Sequence, residues 1–318
     1  MQTPKFFNLF KRISRNIGWL SIVIGTRGVY LVKVRRSAAQ IEIVMCEFHP
    51  MQNVTSLELE RLVREHGLGA FQFTTLLAPD EYQILMVDAP NVPVEEMKTA
   101  IRYRIKDSLN YHVDEATVDL LQIPGNNNSG NRPQSVYAIA ASNEVLKKRI
   151  ALFEKAGINL TVIDIPELAQ RNIAALFETD GRGLALLAFD ERGGLLTFTS
   201  NGELYLARRL DITSGQLQDA NENARQQYIE RVELEIQRSM DYFDRQFHYV
   251  SLIRMLVSAP VGAGLVNLFA DTLGLPVEPL DLSRKLELSA VPALRENEFA
   301  TETLHAVGAA LRQESGAP

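Results

Sequence analysis

The sequence predicts an α/β fold made of two similar halves. One observation is a repeated layout, since Ile22–Val34 (IVIGTRGVYLVKV) and Leu186–Leu210 (LLAFDERGGLLTFTSNGELYLARRL) each contain a strand, a tight turn with glycine and a returning strand. A second observation is the order of elements after each hairpin, because both halves continue through a third strand into a helix and then alternate strands with helices. This repetition indicates an ancient duplication.

The composition bounds the classes of protein to which the chain can belong. Its 318 residues are enough for two domains, and 46% hydrophobic with 23% charged residues is typical of a soluble globular protein. A net charge of −6 argues against a dedicated nucleic-acid binder, which usually carries a basic domain. The single cysteine, Cys46, excludes a disulfide framework and a thiolate metal cluster, and it favours the cytoplasm.

The N-terminal residues 1–17 form a basic and aromatic tail that includes KFFNLFKRISR. We expect no signal peptide there, because Lys11, Arg12 and Arg15 interrupt the short apolar segment. The tail is expected to be solvated; lying on an anionic membrane surface is the alternative. No apolar run in the chain reaches the roughly 18 to 20 residues that a membrane-spanning helix needs.

The first half is predicted to begin with strands and to end with a β-α-β-α run. Its predicted strands are Trp19–Ile24, Val29–Val34, Gln40–Phe48, Phe71–Leu76, Tyr82–Val87, Thr117–Ile123, Ser135–Ala141 and Asn159–Ile165. Its predicted helices are Thr55–His66, Val94–Leu109, a segment from Ser142 or Asn143 to Gly157, and Pro166–Phe177. Each helix follows apolar spacing of three and four residues or a start signal. Pro124–Gln134 is rich in Gly, Asn and Pro and is predicted to be a mobile surface loop.

The second half follows the boundary that the turn residues at Thr179–Gly183 indicate. Its predicted strands are Leu184–Phe189, Leu195–Thr199, Glu203–Leu210, Ser251–Val257 and Pro276–Pro279. Its predicted helices are Asn223–Phe247, a segment that ends at Thr272, and Ala300–Arg312. The halves therefore share the order of three strands followed by a helix.

These elements, in this order, resemble the PilM family of type IV pilus assembly proteins, and within it the MshI branch that serves mannose-sensitive haemagglutinin (MSHA) pili. The resemblance runs from about Trp19 to Arg312. Besides the first hairpin it is carried by the segments MKTAIRYRIKDSLNYHVDEATVDL, AASNEVLKKRIALFEKAGINLTVIDIPELAQRN, ELEIQRSMDYFDRQF and TLHAVGAALR. It implies an actin-like ATPase (ribonuclease H-like, duplicated) fold. The expected parts are a first lobe at 18–180, an inserted subdomain at about 88–142 and a second lobe at 181–318.

The resemblance also implies where a nucleotide would bind. In the actin, Hsp70 and sugar-kinase superfamily two such hairpins grip the phosphates of ATP, and an Asp on each first strand helps to place the metal. Here Val23 and Ala188 stand at the corresponding positions. Asp190 and Glu191 at the second turn would repel a triphosphate. We therefore expect no cofactor, and we disfavour ATP.

Four residues mark the remnant of that nucleotide cleft. They are Gly25 and Thr26 in the first hairpin, and Gly262 and Gly264 in SAPVGAGL, where the family has its adenosine loop. Turn formation is the favoured role of these glycines, because G-x-G needs its full context to indicate a nucleotide. The sequence suggests no catalytic residue. Its five histidines are scattered without metal-ligand spacing, so no metal site is expected.

The function that the resemblance implies is that of a non-catalytic scaffold at the cytoplasmic face of the inner membrane. The expected partners are the short cytoplasmic tail of a PilN- or MshJ-like bitopic protein, other platform components and the assembly ATPase. One alternative is an ATP-binding PilM-type ATPase. Another is a GspL-like module of a type II secretion platform; those proteins usually continue into a membrane span, so this chain favours the pilus branch.

Overall fold

The computed structural model describes residues 19–68, 71–125 and 135–313. The predicted tail at 1–17 and residues 126–134 of the predicted loop lie outside the described residues. Thirteen strands are present in those ranges: β1 (Leu20–Ile24), β2 (Gly28–Arg36), β3 (Ile41–Pro50), β4 (Phe73–Leu76), β5 (Tyr82–Asp88), β6 (Ala116–Gln122), β7 (Ser135–Ser142), β8 (Leu160–Asp164), β9 (Gly183–Asp190), β10 (Gly193–Ser200), β11 (Glu203–Leu210), β12 (Leu252–Ser258) and β13 (Val277–Pro279).

The described residues form eight α-helices: α1 (Ser56–Glu65), α2 (Val94–Ile105), α3 (Asn143–Lys155), α4 (Pro166–Phe177), α5 (Ser214–Leu217), α6 (Glu222–Gln246), α7 (Leu265–Thr272) and α8 (Asn297–Ala310). The predicted helix at 94–109 is too long, because the chain tightens into a 3₁₀ turn at Lys106–Ser108. The short helix α5 was not predicted. None of the helices in the described ranges is long and apolar enough to cross a membrane.

Two five-stranded sheets have the same strand order, which confirms the predicted duplication. The first sheet runs β3-β2-β1-β4-β8 and the second runs β11-β10-β9-β12-β13. In each sheet the first three strands along the chain form an antiparallel meander, and the last two add in parallel beside its first strand. The turns β1–β2 and β9–β10 therefore occupy equivalent places in the two lobes.

A third sheet, β5-β7-β6, forms the inserted subdomain. Helix α2 covers it, with Ile101 and Ile105 packed on Val118 and Ala138. Strand β5 pairs with β7 along its whole length, so the subdomain begins at residue 82. The expected start of the inserted subdomain, at about residue 88, excluded β5 from it. Sequence alone does not show with which sheet a short strand pairs.

Helices α4 and α8 lie between the first and second sheets and contact each other. Each packs on the sheet of the opposite lobe: α4 on β9, β10 and β11, and α8 on β1, β2 and β4. The two helices approach most closely at Gly308, where an added Cβ atom would lie 2.2 Å from the carbonyl oxygen of Ala169. Only a residue without a side chain fits there. Because each of the two helices packs on the sheet of the other lobe, α4 and α8 join the two lobes; we call them the exchanged helices.

We expect Gly308→Ala to lower the free energy of unfolding by roughly 1–3 kcal/mol, because the new methyl group must push two helix backbones apart. Chemical denaturation followed by circular dichroism measures the change. Gly215→Ala in α5 is the matched control, since the atom nearest to an added Cβ there lies 3.9 Å away. Equal stability of the two variants would contradict the close contact.

Candidate functional site: the cleft between the lobes

A cleft lies between the two lobes, where a nucleotide would bind in an actin-like ATPase. The turns β1–β2 and β9–β10 form its mouth, and the N-terminal end of α4 and one face of α8 form its inner walls. Its cavity volume is about 120 Å³. Ligand pockets usually hold roughly 300–1,000 Å³. The volume of the cleft is therefore below the ordinary range for a ligand pocket.

The first turn is held in shape by its glycines. The Gly25 N–H donates to the carbonyl oxygen of Gly28 over 2.8 Å, which closes the turn. A Cβ atom on Gly28 would lie 2.1 Å from the carbonyl oxygen of His49 on β3, so the close approach of these strands requires glycine. This geometry leaves Thr26 and Arg27 exposed at the tip.

The carboxylate of Asp190 closes the second turn, β9–β10. Asp190 accepts hydrogen bonds from the backbone N–H groups of Arg192, at 2.7 Å, and Gly193, at 3.1 Å. Gly193 has a φ of +140°, and a Cβ atom there would lie 2.7 Å from the carbonyl oxygen of Leu210. Because Asp190 stabilises the turn itself, Glu191 is left to point across the cleft.

The two tips bind each other directly. The Thr26 hydroxyl donates to the Glu191 carboxylate, and the Arg27 guanidinium forms an ion pair with it. Arg27 also donates to Glu302 on α8 over 2.7 Å. The hydrogen bond to Glu302, together with the charge of Glu191, raises the pKa of Arg27 although partial burial opposes the rise. A protein carboxylate thus lies between the tips of the two hairpins.

The charges on the cleft walls also disfavour a polyanion. Four carboxylates line the cleft, belonging to Asp190, Glu191, Glu298 and Glu302, against the guanidiniums of Arg192 and Arg209 and of Arg27 at the mouth. A site that binds triphosphate normally presents backbone N–H groups and cations to the anion. The cleft therefore offers a triphosphate no surplus of cations.

Behind the mouth, a chain of polar contacts joins the second hairpin to both exchanged helices. His305 on α8 places Nδ1 3.3 Å from Asp190 and Nε2 3.2 Å from the side-chain oxygen of Gln170 on α4. The Gln170 amide nitrogen donates to the carbonyl oxygens of Leu186, at 2.7 Å, and Leu195, at 3.1 Å. Burial would raise the pKa of Asp190, but the hydrogen bond and charge of His305 outweigh it and lower that pKa.

A second buried network joins the inserted subdomain to both lobes. Glu167 on α4 is fully buried and pairs with Arg209 on β11 at 2.8 Å. The Tyr82 hydroxyl, at the start of β5, donates to Glu167 and accepts from Arg209. Burial, reinforced by the negative charge of Glu167, raises the pKa of Tyr82 well above its usual value. The buried Glu167 carboxylate therefore holds α4, β11 and the start of β5 in place relative to one another.

Of the four residues that the sequence predicted for the nucleotide cleft, two line the cleft between the lobes and two do not. Gly25 and Thr26 line the cleft, as does Val23. Gly262 and Gly264 do not line it; their φ values are +86° and +69°, and added Cβ atoms would meet open space. These two glycines serve the turn before α7, and Gly264 is its N-cap. Ala188 is buried in the core.

Sequence reasoning missed the residues that close the cleft. Arg27, Glu191 and Glu302 are ordinary charged residues far apart along the chain, and only the folded arrangement brings them together. His305 carried a weak signal, because it is the one histidine on the predicted closing helix. Nothing in the pattern pointed to its contact with Asp190.

No family model and no curated protein matches the chain. Among solved structures, a chain of a PilM-PilN type IV pilus biogenesis complex is similar, with a TM-score of 0.74 and 18% identity over 93% of this chain and 98% of that one. A Bacteroides thetaiotaomicron protein with an actin-like ATPase fold and unknown function has a TM-score of 0.48 and 10% identity, covering 88% of this chain and 95% of that one. The cytoplasmic domain of EpsL, an inner-membrane component of the Vibrio cholerae type II secretion system, has a TM-score of 0.45 and 11% identity, covering 76% and 82%.

The shared feature is the fold. The two equivalent sheets and the exchanged helices are those of an actin-like ATPase fold, which confirms the fold class expected from the sequence.

We expect Glu167→Ala to lower the free energy of unfolding by about 3 kcal/mol, because it leaves Arg209 and Tyr82 without their buried acceptor. Denaturant titration measures this loss. Glu203→Ala, an exposed acid on the same strand as Arg209, is the control and should change little. In a double-mutant cycle with Arg209→Met, the losses should not add. Additive losses would show that the pair is not coupled.

Proposed function

We propose that this protein is a non-catalytic cytoplasmic scaffold of a type IV pilus assembly platform. The observation that carries the proposal is the closed cleft, in which Thr26 and Arg27 bind Glu191 across the site that an ATPase keeps open. The similarity of fold to a chain of the PilM-PilN complex, over nearly the whole of both chains, supports the pilus assignment. The sequence segments that resemble the MshI branch favour an MSHA-type pilus.

The chemistry of the hairpins supports a scaffold rather than an ATPase. Mg²⁺ binds hard oxygen ligands, and the Val23 and Ala188 side chains provide none. The Asp190 carboxylate is engaged with two backbone N–H groups of its own turn and with His305. The polar groups of the cleft therefore hold the lobes together.

A second, open groove at the root of the inserted subdomain is the better candidate for a ligand. It has a volume of about 470 Å³, within the ordinary range for a ligand site. The first hairpin, the β3–α1 connection and one face of α3 form its walls. Its partly exposed apolar residues are Ile24, Met51, Val54, Val145 and Leu152.

This groove suits a short peptide with a few apolar side chains. The ion pair between Arg149 and Glu81, at 2.7 Å, fixes one wall, and Lys148 adds an exposed cation. Short captured segments bind through a few buried anchors together with polar contacts to their backbone. We propose that the occupant is the cytoplasmic tail of a PilN- or MshJ-like bitopic protein. Such a partner would hold the scaffold at the inner face of the inner membrane, beside other platform components and the assembly ATPase.

Isothermal titration of the full chain with MgATP should give no saturable heat up to millimolar concentration, since the cleft is closed and acidic. An active actin-like ATPase titrated in the same buffer is the positive control. Micromolar binding would favour the ATPase alternative, and its loss in Gly262→Asp would place the nucleotide at the loop before α7.

Binding of the partner tail is expected to depend on the open groove. A synthetic peptide with the N-terminal tail sequence of a PilN-like bitopic protein from the same organism should bind with 1:1 stoichiometry in fluorescence anisotropy. Val145→Glu should weaken binding at least tenfold, because it puts a charge among the apolar residues of the groove.

Ile150→Glu is the matched control, because Ile150 lies on the same helix, is 41% exposed and does not line the groove. It should leave the affinity unchanged. Binding that Val145→Glu does not weaken would move the peptide site elsewhere, and an absence of binding by the unmodified protein would contradict the proposed partner.

A further inference from the structure

Three side chains meet on the first lobe, away from the cleft, where β3 passes the end of α1. Glu47 and His49 are two residues apart on β3, which is the edge strand of the first sheet, so they share one face. Their partners across the ladder are Leu31 and Val29, which belong to the core beneath α1. His66 follows the last turn of α1, where its backbone N–H donates to the Leu62 carbonyl oxygen. The packing of α1 on the sheet thus brings His66 over β3.

The separations match those of ligands around one metal ion. The Glu47 Oε2 atom lies 3.1 Å from His49 Nε2 and 3.4 Å from His66 Nε2. One atom from each residue can be chosen so that all three lie within 4.8 Å of one another. Tetrahedral zinc with bonds of about 2.0–2.2 Å puts its ligand atoms roughly 3.4 Å apart. Only small rotations of the side chains would complete the geometry.

Hydrogen bonding alone leaves this cluster incomplete. His49 Nε2 is buried but has no hydrogen-bond partner of acceptable geometry among the described residues, despite its short distance to Glu47. An unpaired buried polar atom destabilises the folded state, because it has lost its hydrogen bonds to water. The three side chains are 24% to 41% exposed, so an ion can reach them from solvent. A bound cation would satisfy the nitrogen without displacing any core residue.

We propose that Glu47, His49 and His66 form a zinc site. Two imidazole nitrogens and one carboxylate oxygen are a donor set that Zn²⁺ accepts, whereas Mg²⁺ and Ca²⁺ prefer oxygen alone. Water would take the fourth position. The bound ion ties the edge strand β3 to the end of α1. It thereby steadies the strand against whose backbone Gly28 of the first hairpin packs.

The test uses the full chain, stripped of metal with a chelator and titrated with Zn²⁺ against a colorimetric zinc indicator. We expect one equivalent of Zn²⁺ to bind and Mg²⁺ not to compete. His49→Gln and His66→Gln should each weaken zinc binding by more than tenfold, since changing even a residue behind a ligand costs about 10–100-fold. His112→Gln and His248→Gln, which change histidines outside the cluster, are the controls and should bind like the unmodified protein.

Thermal unfolding gives an independent measurement. Excess Zn²⁺ should raise the Tm of the unmodified protein by several degrees, because an ion that binds only the folded state stabilises it. The shift should vanish in His49→Gln and His66→Gln, whose far-ultraviolet circular dichroism checks that each variant is folded. The proposal is overturned if no stoichiometric zinc binds, or if folded cluster variants bind zinc as tightly as the controls do.

Discussion

The close contact of α4 with α8 is the constraint on which the other features depend. At Gly308 the two helix backbones are so near that a single Cβ atom would meet the Ala169 carbonyl oxygen. Two hydrogen bonds hold α8 in this position. Asn172 on α4 donates to the Gly308 carbonyl oxygen over 3.0 Å, and Ser21 on β1 donates to the Ala306 carbonyl oxygen over 2.7 Å. Because each helix packs on the sheet of the opposite lobe, one of the large hydrophobic clusters contains residues from both lobes.

The position of the cleft follows from that contact. With the helices fixed, the equivalent turns of the two sheets face each other, and their tips come within hydrogen-bonding distance. An ATPase of this fold would fill the gap with phosphates and metal. Here Glu191 lies between the tips, where it accepts from Thr26 and pairs with Arg27, and behind it Glu167 pairs with Arg209 and Gln170 donates to Leu186.

The sequence predicted the local parts of this structure well, because hairpins and amphipathic helices leave a periodic pattern within a few residues. The repeated layout also predicted that the two halves share a plan, and the two large sheets have the same strand order. The features that it did not predict depend on contacts between distant segments. The sequence of β5 does not show that this strand pairs with β7. Likewise, the sequence around Gly308 does not show that α4 packs against it. Glu191 reaches Thr26 and His66 reaches Glu47 only after folding. Gly262 and Gly264 were marked by resemblance, and they form the turn before α7, the role that the sequence favoured.

The distance between the lobes tests the central claim most directly. Spin labels on cysteines introduced at Asn53 in the first lobe and Ala220 in the second, both exposed, would report it by double electron–electron resonance. Cys46 is buried, and burial raises the pKa of its thiol to about 12, so it should stay unlabelled. We predict one narrow distance distribution that millimolar MgATP does not change. A second population, or a shift of several ångströms on adding MgATP, would contradict a cleft closed by its own side chains.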